Sequence, residues 1–179
     1  SEKILSDIKT ITNKAMIGKI DFKYSLMSRL KLINISLDKI EEVITILKDD
    51  ISTSIINNKM FFIENSKNIY IVSGGFIDII EPIVSTFNIK NNHIIANSFI
   101  YRNSTVVGCD EENDLLKKEG KVIAVNKLNL NGEIIVVGDG YTDYEIKKCG
   151  AADTFIAFSE NISRKSIIQK ADIIADNFD

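Results

Sequence analysis

Hydrophobic positions recur at intervals of three and four through the first third of the chain and then give way to short unbroken apolar runs. From Glu2 to about Asn57 the spacing is helical: Ile4, Ile8, Ile11 and Ala15, then Leu26, Leu30 and Ile33, then Ile40, Val43, Ile44 and Leu47. Gly18 breaks the first helix, and Ser36 with Asp38 opens the third. Residues 1–57 are therefore expected to form a small all-helical unit of three or four pieces.

Residues 58–179 alternate short apolar runs with helical stretches, which predicts an α/β unit: a parallel sheet with helices on both faces. The first run, Ile69 to Val72, stops at Ser73-Gly74-Gly75, and the next helix carries the only proline, Pro82, which should start or kink it. His93 to Ala96 reads as the second strand, with His93 structural. Phe99 to Cys109 reads as a hairpin around Asn103 and Ser104, and Asn113 to Gly120 as a polar loop in which Lys117, Lys118 and Glu119 are solvated. A helix follows from Lys121 to about Leu128. Ile134 to Val137, β-branched without a break, suits a strand buried on both faces, and Tyr144 onward reads as helix. Asp153 to Phe158, Ser163 to Lys170 and Ile173 to Ala175 complete the pattern as strand, helix and strand.

The 179 residues can bury a sizeable core, and 22 basic against 25 acidic side chains give −3 without a long single-sign run. That balance argues against nucleic-acid and anionic-membrane partners and for small-molecule chemistry. Only three arginines occur, Arg29, Arg102 and Arg164, so each is a candidate wherever a fixed fork for carboxylate or phosphate is needed. Cys109 and Cys149 lack metal-ligand or redox spacing, and Cys149, just before the expected C-cap Gly150, reads as a small core residue. No run approaches transmembrane length and the first residues have no signal-peptide character, so the expected location is the cytoplasm.

The candidate chemistry sits where strands end. Gly138-Asp139-Gly140-Tyr141-Thr142-Asp143 follows its strand directly, and in open α/β sheets the carboxyl ends of strands face the ligand crevice. Asp139 and Asp143 are close enough in sequence to face one hard cation such as Mg²⁺. The plain alternative is a βα turn in which Asp143 only caps the next helix. Ser73-Gly74-Gly75 offers a hydroxyl and two unencumbered amides, the equipment for holding a phosphoryl group, or else a simple loop. Lys121 opens a helix, where an ammonium opposes the helix dipole unless it faces an anion; otherwise it is a surface lysine.

Hydroxyl-Gly-Gly, then Gly120-Lys121, then Gly-Asp-Gly-x-x-Asp is an order that resembles the haloacid dehalogenase-like (HAD) superfamily and, within it, the phosphoserine phosphatase family. Thr12 to Phe22, followed by Leu26 and Arg29-Leu30, resembles that family's helical cap of the C1 type, so the resemblance runs from about Thr12 to Phe178. It implies a HAD-like Rossmannoid sheet and an Mg²⁺-dependent phosphatase for a small phosphorylated substrate, phosphoserine, in serine biosynthesis. It further implies that Ser73, Gly74 and Gly75 bind the phosphoryl oxygens, and that Lys121 neutralises charge on nucleophile and phosphate. Asp139 would coordinate Mg²⁺, Asp143 would support that site, and Thr142 would lie beside the phosphate. From the cap, Arg29 would take the substrate carboxylate while Met16 and Phe22 close over it.

One departure is severe: the family's first motif, a strand ending in Asp-x-Asp-x-Thr whose aspartates are nucleophile and general acid/base, does not occur in the sequence. Ser6-Asp7-Ile8-Lys9-Thr10 is a near match, but its apolar residues keep helical spacing. The expectation is that this first core strand lies upstream of Ser1 and that residues 1–179 alone are inactive. A catalytically inactive relative that binds phosphate and Mg²⁺, or a phosphatase for another small carboxylated phosphomonoester, are the alternatives. In the superfamily's sheet the nucleophile strand lies between those equivalent to Ile69–Val72 and Ile134–Val137. These two strands are therefore expected not to pair, and to leave an open, destabilising slot about two strand spacings, or about 9.6 Å, wide.

Overall fold

The computed structural model describes residues 2–33 and 35–179; Ser1 and Asn34, both inside the expected cap segment, lie outside the described residues. Five helices come first: α1 (Glu2–Met16), α2 (Phe22–Leu32), α3 (Leu37–Asp49), α4 (Thr53–Asn57) and α5 (Lys59–Glu64). Their ends follow local chemistry. Gly18 adopts φ 73°, the left-handed backbone that stops α1. Asp21 accepts from the Tyr24 amide at 3.0 Å, and Ser36 from the Lys39 amide, to cap α2 and α3. Helix α1 is amphipathic yet has no buried residue, whereas α2 and α3 bury Leu26 and Ile40.

The α/β part then runs β1 (Ile71–Phe76), α6 (Ile77–Val84), β2 (Ile94–Asn97), β3 (Phe99–Arg102), β4 (Thr105–Cys109), α7 (Gly120–Lys127), β5 (Ile135–Gly138), α8 (Tyr141–Lys148), β6 (Thr154–Phe158), α9 (Lys165–Ile168) and β7 (Ile173–Ala175). β1 pairs in parallel with β2, and β5, β6 and β7 form a second parallel sheet in that order. Helices link the parallel strands, as parallel pairing requires. β3 and β4 make the expected hairpin, turning on Asn103 and Ser104, both at positive φ. The hairpin also anchors the α2–α3 connection, since the Val106 amide donates to the Ile35 carbonyl at 2.8 Å and the Leu37 amide to the Ser104 carbonyl at 3.0 Å.

The buried core runs across position 57, the expected boundary of the helical unit. Leu26, Ile40, Phe76, Phe99, Cys109 and Leu116 form one cluster, with Phe22, Met27 and Ile44 packed against it. Ile55 of α4 and Phe62 of α5 join Phe87, Ile89 and Ile94 under β1 and β2. Helix α7 packs Val122 and Val125 against both Val72 of β1 and Val136 of β5, and so underlies both sheets.

Several expectations are corrected. Pro82 lies inside α6 and does not start it, and the helix ends two residues later. Helix α8 begins at Tyr141, not Tyr144, because Asp143 supplies its N-terminal hydrogen bond, and α9 is shorter than Ser163–Lys170. Cys149 is exposed at the end of α8 and Cys109 is the buried cysteine; Gly150, at φ 77°, does form the left-handed C-cap expected of it. Leu115 and Leu116, placed in a polar loop, are buried. His93 precedes β2 in a short 3₁₀ turn, bonded through Nδ1 to the Ile69 carbonyl and stacked on Tyr70, which is a structural role.

The largest correction concerns β5. Ile135 and Val137 are 52% and 43% exposed, where a strand buried on both faces was expected. The exposure alternates with Val136, which packs against α7, so one face of β5 is uncovered; in addition β1 pairs only with β2 and β5 only with β6, and each presents an edge without a strand neighbour among the described residues. That is the unpaired arrangement expected of the two strands. No helix among the described residues is long and apolar enough to cross a membrane.

Candidate active site

Two strand ends and one helix start carry the candidate groups. At the end of β5 the chain turns into α8 through Gly138-Asp139-Gly140, and Asp143 folds back under that turn. Its Oδ2 accepts from the Gly140 amide at 3.0 Å, and its Oδ1 accepts from Lys121 Nζ at 2.6 Å. Asp143 and Lys121 are 13% and 17% exposed, so the pair is largely out of water, where a charge-assisted bond is strong and an unpaired partner costly. Gly138 makes the fold-back possible: a Cβ there would lie 2.4 Å from Asp143 Cγ. Asp143 is therefore both the helix cap that plain reading offers and the anion that justifies Lys121 at a helix start.

Asp139 points elsewhere. Its carboxylate meets the Arg164 guanidinium, which also donates to the Asp139 carbonyl at 3.0 Å. Arg164 stands at the N-terminus of α9 with its side chain free of any capping bond, and burying that side chain to 17% exposure beside Asp139 gives the carboxylate a counter-ion. The sequence flagged it only as one of three arginines; its place at the start of the helix that follows β6 was the signal that could have singled it out.

Ser73-Gly74-Gly75, expected to end the first strand, lies inside β1 where its register with β2 shifts between Val72 and Phe76, and there the Gly75 amide donates to Ser73 Oγ at 3.0 Å. Asn97, fully buried at the end of β2, donates Nδ2–H to the Gly74 carbonyl at 2.9 Å and fixes the loop from behind. Sequence reasoning missed Asn97, which looked like an ordinary strand-end polar residue.

The cap lies directly on these turns. A Cβ at Gly74 would fall 2.4 Å from Phe22 Cζ, so the Phe22 ring rests on the Ser73-Gly74-Gly75 backbone. Met16 Sδ comes 3.8 Å from the Cβ position of Gly140, and Gly18 faces the Tyr141 ring at a similar distance. Met16 and Phe22 thus roof the two candidate loops from one segment, residues 16–22. Arg29 sits half-buried on α2 with Nε donating to the Ser25 carbonyl at 3.3 Å, and burial pushes its guanidinium below the ordinary value. Its hydrogen bonds among the described residues stay within α2. Thr142 occupies the first turn of α8 beside Asp143, partly buried.

Among the described residues no three His, Cys, Asp or Glu side chains gather into a metal cage. The two carboxylates nevertheless suit a hard cation of the Mg²⁺ type, which is commonly held by one or two carboxylates plus substrate oxygens and water. Asp139, 39% exposed and paired with Arg164, is the more accessible of the two carboxylates. Asp143 has both oxygens committed and would act behind it.

No family model matches the chain. It is 32% identical over 168 residues to the phosphoserine phosphatase of Homo sapiens, covering 92% of this chain and 74% of that protein. It is also 32% identical over 172 residues to the chloroplastic phosphoserine phosphatase of Arabidopsis thaliana, covering 94% of this chain and 58% of that longer protein. Its fold superimposes on a phosphoserine phosphohydrolase-like protein from Francisella tularensis with a TM-score of 0.87 at 30% identity, over 99% of this chain and 83% of the other. A phospho-aspartyl intermediate analogue of phosphoserine phosphatase superimposes with a TM-score of 0.72 at 26% identity, over 96% and 80% of the two chains. With the strand-end acids, the Lys121 ion pair and the roof of residues 16–22 all in place, that likeness is one of family: the chain belongs to the phosphoserine phosphatases of the HAD superfamily.

Proposed function

We propose that residues 1–179 carry most of the active site of an Mg²⁺-dependent phosphoserine phosphatase serving serine synthesis in the cytoplasm, which works with a nucleophile strand ending in Asp-x-Asp-x-Thr, a motif that residues 1–179 do not contain. The observation that carries this is the Lys121–Asp143–Gly140 link, which brings an ammonium from a separate helix to the turn bearing Asp139. Phosphoryl transfer asks mainly for positioning and for positive charge around the equatorial oxygens. Lys121 supplies a fixed cation, and the Gly74 and Gly75 amides with Ser73 supply donors for the phosphoryl oxygens. Asp139 would hold Mg²⁺ in place of its bond to Arg164, with Asp143 keeping the turn rigid behind it and Thr142 beside the phosphate. A bound Mg²⁺ would add charge neutralisation on the phosphoryl group. Met16 and Phe22 exclude water from above, and Arg29 receives the substrate carboxylate when the cap closes.

In the reaction implied by the family, the first aspartate of the Asp-x-Asp-x-Thr strand attacks phosphorus while the serine oxygen departs with a proton from the second aspartate. Water then cleaves the aspartyl-phosphate, releasing phosphate and restoring the carboxylate. The experiment is phosphate release from phosphoserine with Mg²⁺, comparing residues 1–179 with a chain extended through a strand ending in Asp-x-Asp-x-Thr. Release by the extended chain alone is expected. An extended, folded chain that binds Mg²⁺ and phosphate but releases nothing would replace the reading with that of a non-catalytic binding protein.

A further inference from the structure

The connection between β6 and α9 carries Arg164 to Asp139, and its backbone does little to hold it there. Ser159 is fixed at the end of β7, where its amide donates to the Ala175 carbonyl at 2.9 Å and its hydroxyl to Asp176 Oδ1 at 2.6 Å. Among the described residues, 160–163 then make no backbone–backbone hydrogen bond. Two side chains anchor them instead. Glu160 Oε1 accepts from the Ser54 amide at 3.2 Å and Oε2 from the Ser54 hydroxyl at 2.5 Å, while Asn161 Nδ2 donates to Ser52 Oγ at 2.6 Å. Ser52 precedes α4 without a capping bond of its own, so Glu160 supplies the acceptor that the Ser54 amide would otherwise lack. Ser54 is 2% exposed, and water cannot take the place of that carboxylate.

For α4 alone this is a cap brought in from another segment. For Arg164 it is a tether, since residues 161–163 are exposed and Arg164 stands four residues beyond Glu160. Four residues span at most about 14 Å of chain, so the place where Glu160 is pinned limits where the guanidinium can reach. We propose that Glu160 is a positioning residue for the candidate site: by pinning residues 160–161 to the start of α4, it keeps the Arg164 guanidinium on Asp139. Ser52 to Ser54 is also where the chain returns from α3, whose Ile40 and Ile44 pack in one cluster with Phe22 and Leu26 of α2. The same anchor therefore links the Asp139 ion pair to the helices that cover the site. The consequence for a cation rests on the proposed role of Asp139 as an Mg²⁺ ligand, whereas the placing of Arg164 does not.

The test compares Glu160→Ala, Glu160→Gln, Arg164→Ala and the Glu160→Ala/Arg164→Ala double variant in the strand-extended chain, with Mg²⁺ affinity read by calorimetry. Glutamine keeps both contacts, its carbonyl accepting from the Ser54 amide and its NH₂ donating to the Ser54 hydroxyl, whereas alanine loses both. Glu160→Ala should shift the Mg²⁺ dissociation constant at least about twofold in the direction that Arg164→Ala shifts it, and should add nothing once Arg164 is alanine, as expected of residues acting through one network. Glu160→Gln should stay within about twofold of the unsubstituted chain. An unchanged constant in Glu160→Ala, or a shift that persists without Arg164, would overturn the proposal, because a residue that only caps α4 has no means of acting through Arg164. If the unsubstituted chain binds no Mg²⁺, the phosphatase reading fails and amide exchange decides the positioning by itself. Ile167 and Ile168, whose amides donate to the Arg164 carbonyl at 2.8 and 3.0 Å, should then exchange faster in Glu160→Ala, by at least about tenfold, and acceleration confined to α4 refutes the tether. If Glu160→Ala does not fold, Ser54→Ala, which removes the hydroxyl contact and keeps the amide one, is read by the same measurements in its place.

Discussion

Replacing Gly138 by alanine isolates the turn on which the candidate site depends. Gly138 does not use left-handed backbone, so alanine meets no conformational penalty there; its cost is purely spatial. The new methyl would stand 2.4 Å from Cγ and 2.5 Å from Oδ2 of Asp143. That carboxylate cannot simply lean away, because its two oxygens are held by Lys121 and by the Gly140 amide. Overpacking of this kind costs about 1–3 kcal/mol. If Asp143 is instead expelled, the helix loses a cap worth about 1 kcal/mol and a charge-assisted bond worth about 1.5–3 kcal/mol. The chain takes the cheaper route or a compromise, so the expected loss is about 1–3 kcal/mol, large against a domain stability of about 5–15 kcal/mol. Guanidinium denaturation of the strand-extended chain measures it as a lowered midpoint at unchanged slope. On an Asp143→Ala background the same substitution should cost under about 1 kcal/mol, a coupling expected only of groups in contact. Equal costs on both backgrounds would mean that Gly138 is not there to admit Asp143.

Gly74→Ala should behave in the opposite way: its clash is with the Phe22 ring tip, which can swing aside, so stability should change by under about 1 kcal/mol while phosphate release falls as the roof lifts. Intact release with a displaced roof would remove Phe22 from its role. Arg29→Ala should raise KM for phosphoserine more than for a phosphomonoester without a carboxylate, and equal effects on both would refute carboxylate recognition. Asp172 accepts from Lys147 and from the Phe155 amide, and these bonds, Lys147 foremost, hold its carboxyl below the ordinary 3.8. A depressed folded value contributes stability above the unfolded value that is lost as pH falls through the folded one. Asp172→Asn should therefore flatten the decline of stability below about pH 4, and an unchanged acid limb would exclude Asp172 as its cause.

The elements were legible in the sequence wherever local physics governs them. The short apolar runs became β5 and β6, the first run became β1 shifted on to Ile71–Phe76, and the Asn103-Ser104 pair turned the hairpin, because composition and turn chemistry mark these stretches locally. Positions set by tertiary neighbours were not legible. Ile135 and Val137 belong to a run that fits a doubly covered strand, and nothing in their own identity shows that one flank is open. Cys149 has the composition of a core residue, but α8 presents its last turn to solvent. Leu115 and Leu116 lie among polar residues and are drawn inward by α7, where Gly120 approaches the Leu115 backbone so closely that a Cβ would sit 2.7 Å from its Cα.

At the site, the two readings of Asp143 that looked like alternatives are one arrangement. A carboxylate has two oxygens, and here one accepts the helix-capping amide while the other accepts the ammonium of Lys121. Capping alone would leave Asp143 free to rotate about its side-chain bonds, and the ion pair alone would leave the Gly140 amide without an acceptor. Together they fix the turn between β5 and α8, and hence the direction in which Asp139 points. Asp139, by contrast, is bound by a guanidinium on an independent segment after β6, so its charge is neutralised without its orientation being built into the turn. On the proposed reading, Asp143 would be the rigid acid behind the cation and Asp139 the exchangeable one in front. Arg164 should accordingly compete with Mg²⁺ for Asp139, and Arg164→Ala should tighten Mg²⁺ binding measured by calorimetry while Asp143→Asn weakens it. Weaker binding in the Arg164 variant would show instead that the guanidinium holds Asp139 in place for the metal.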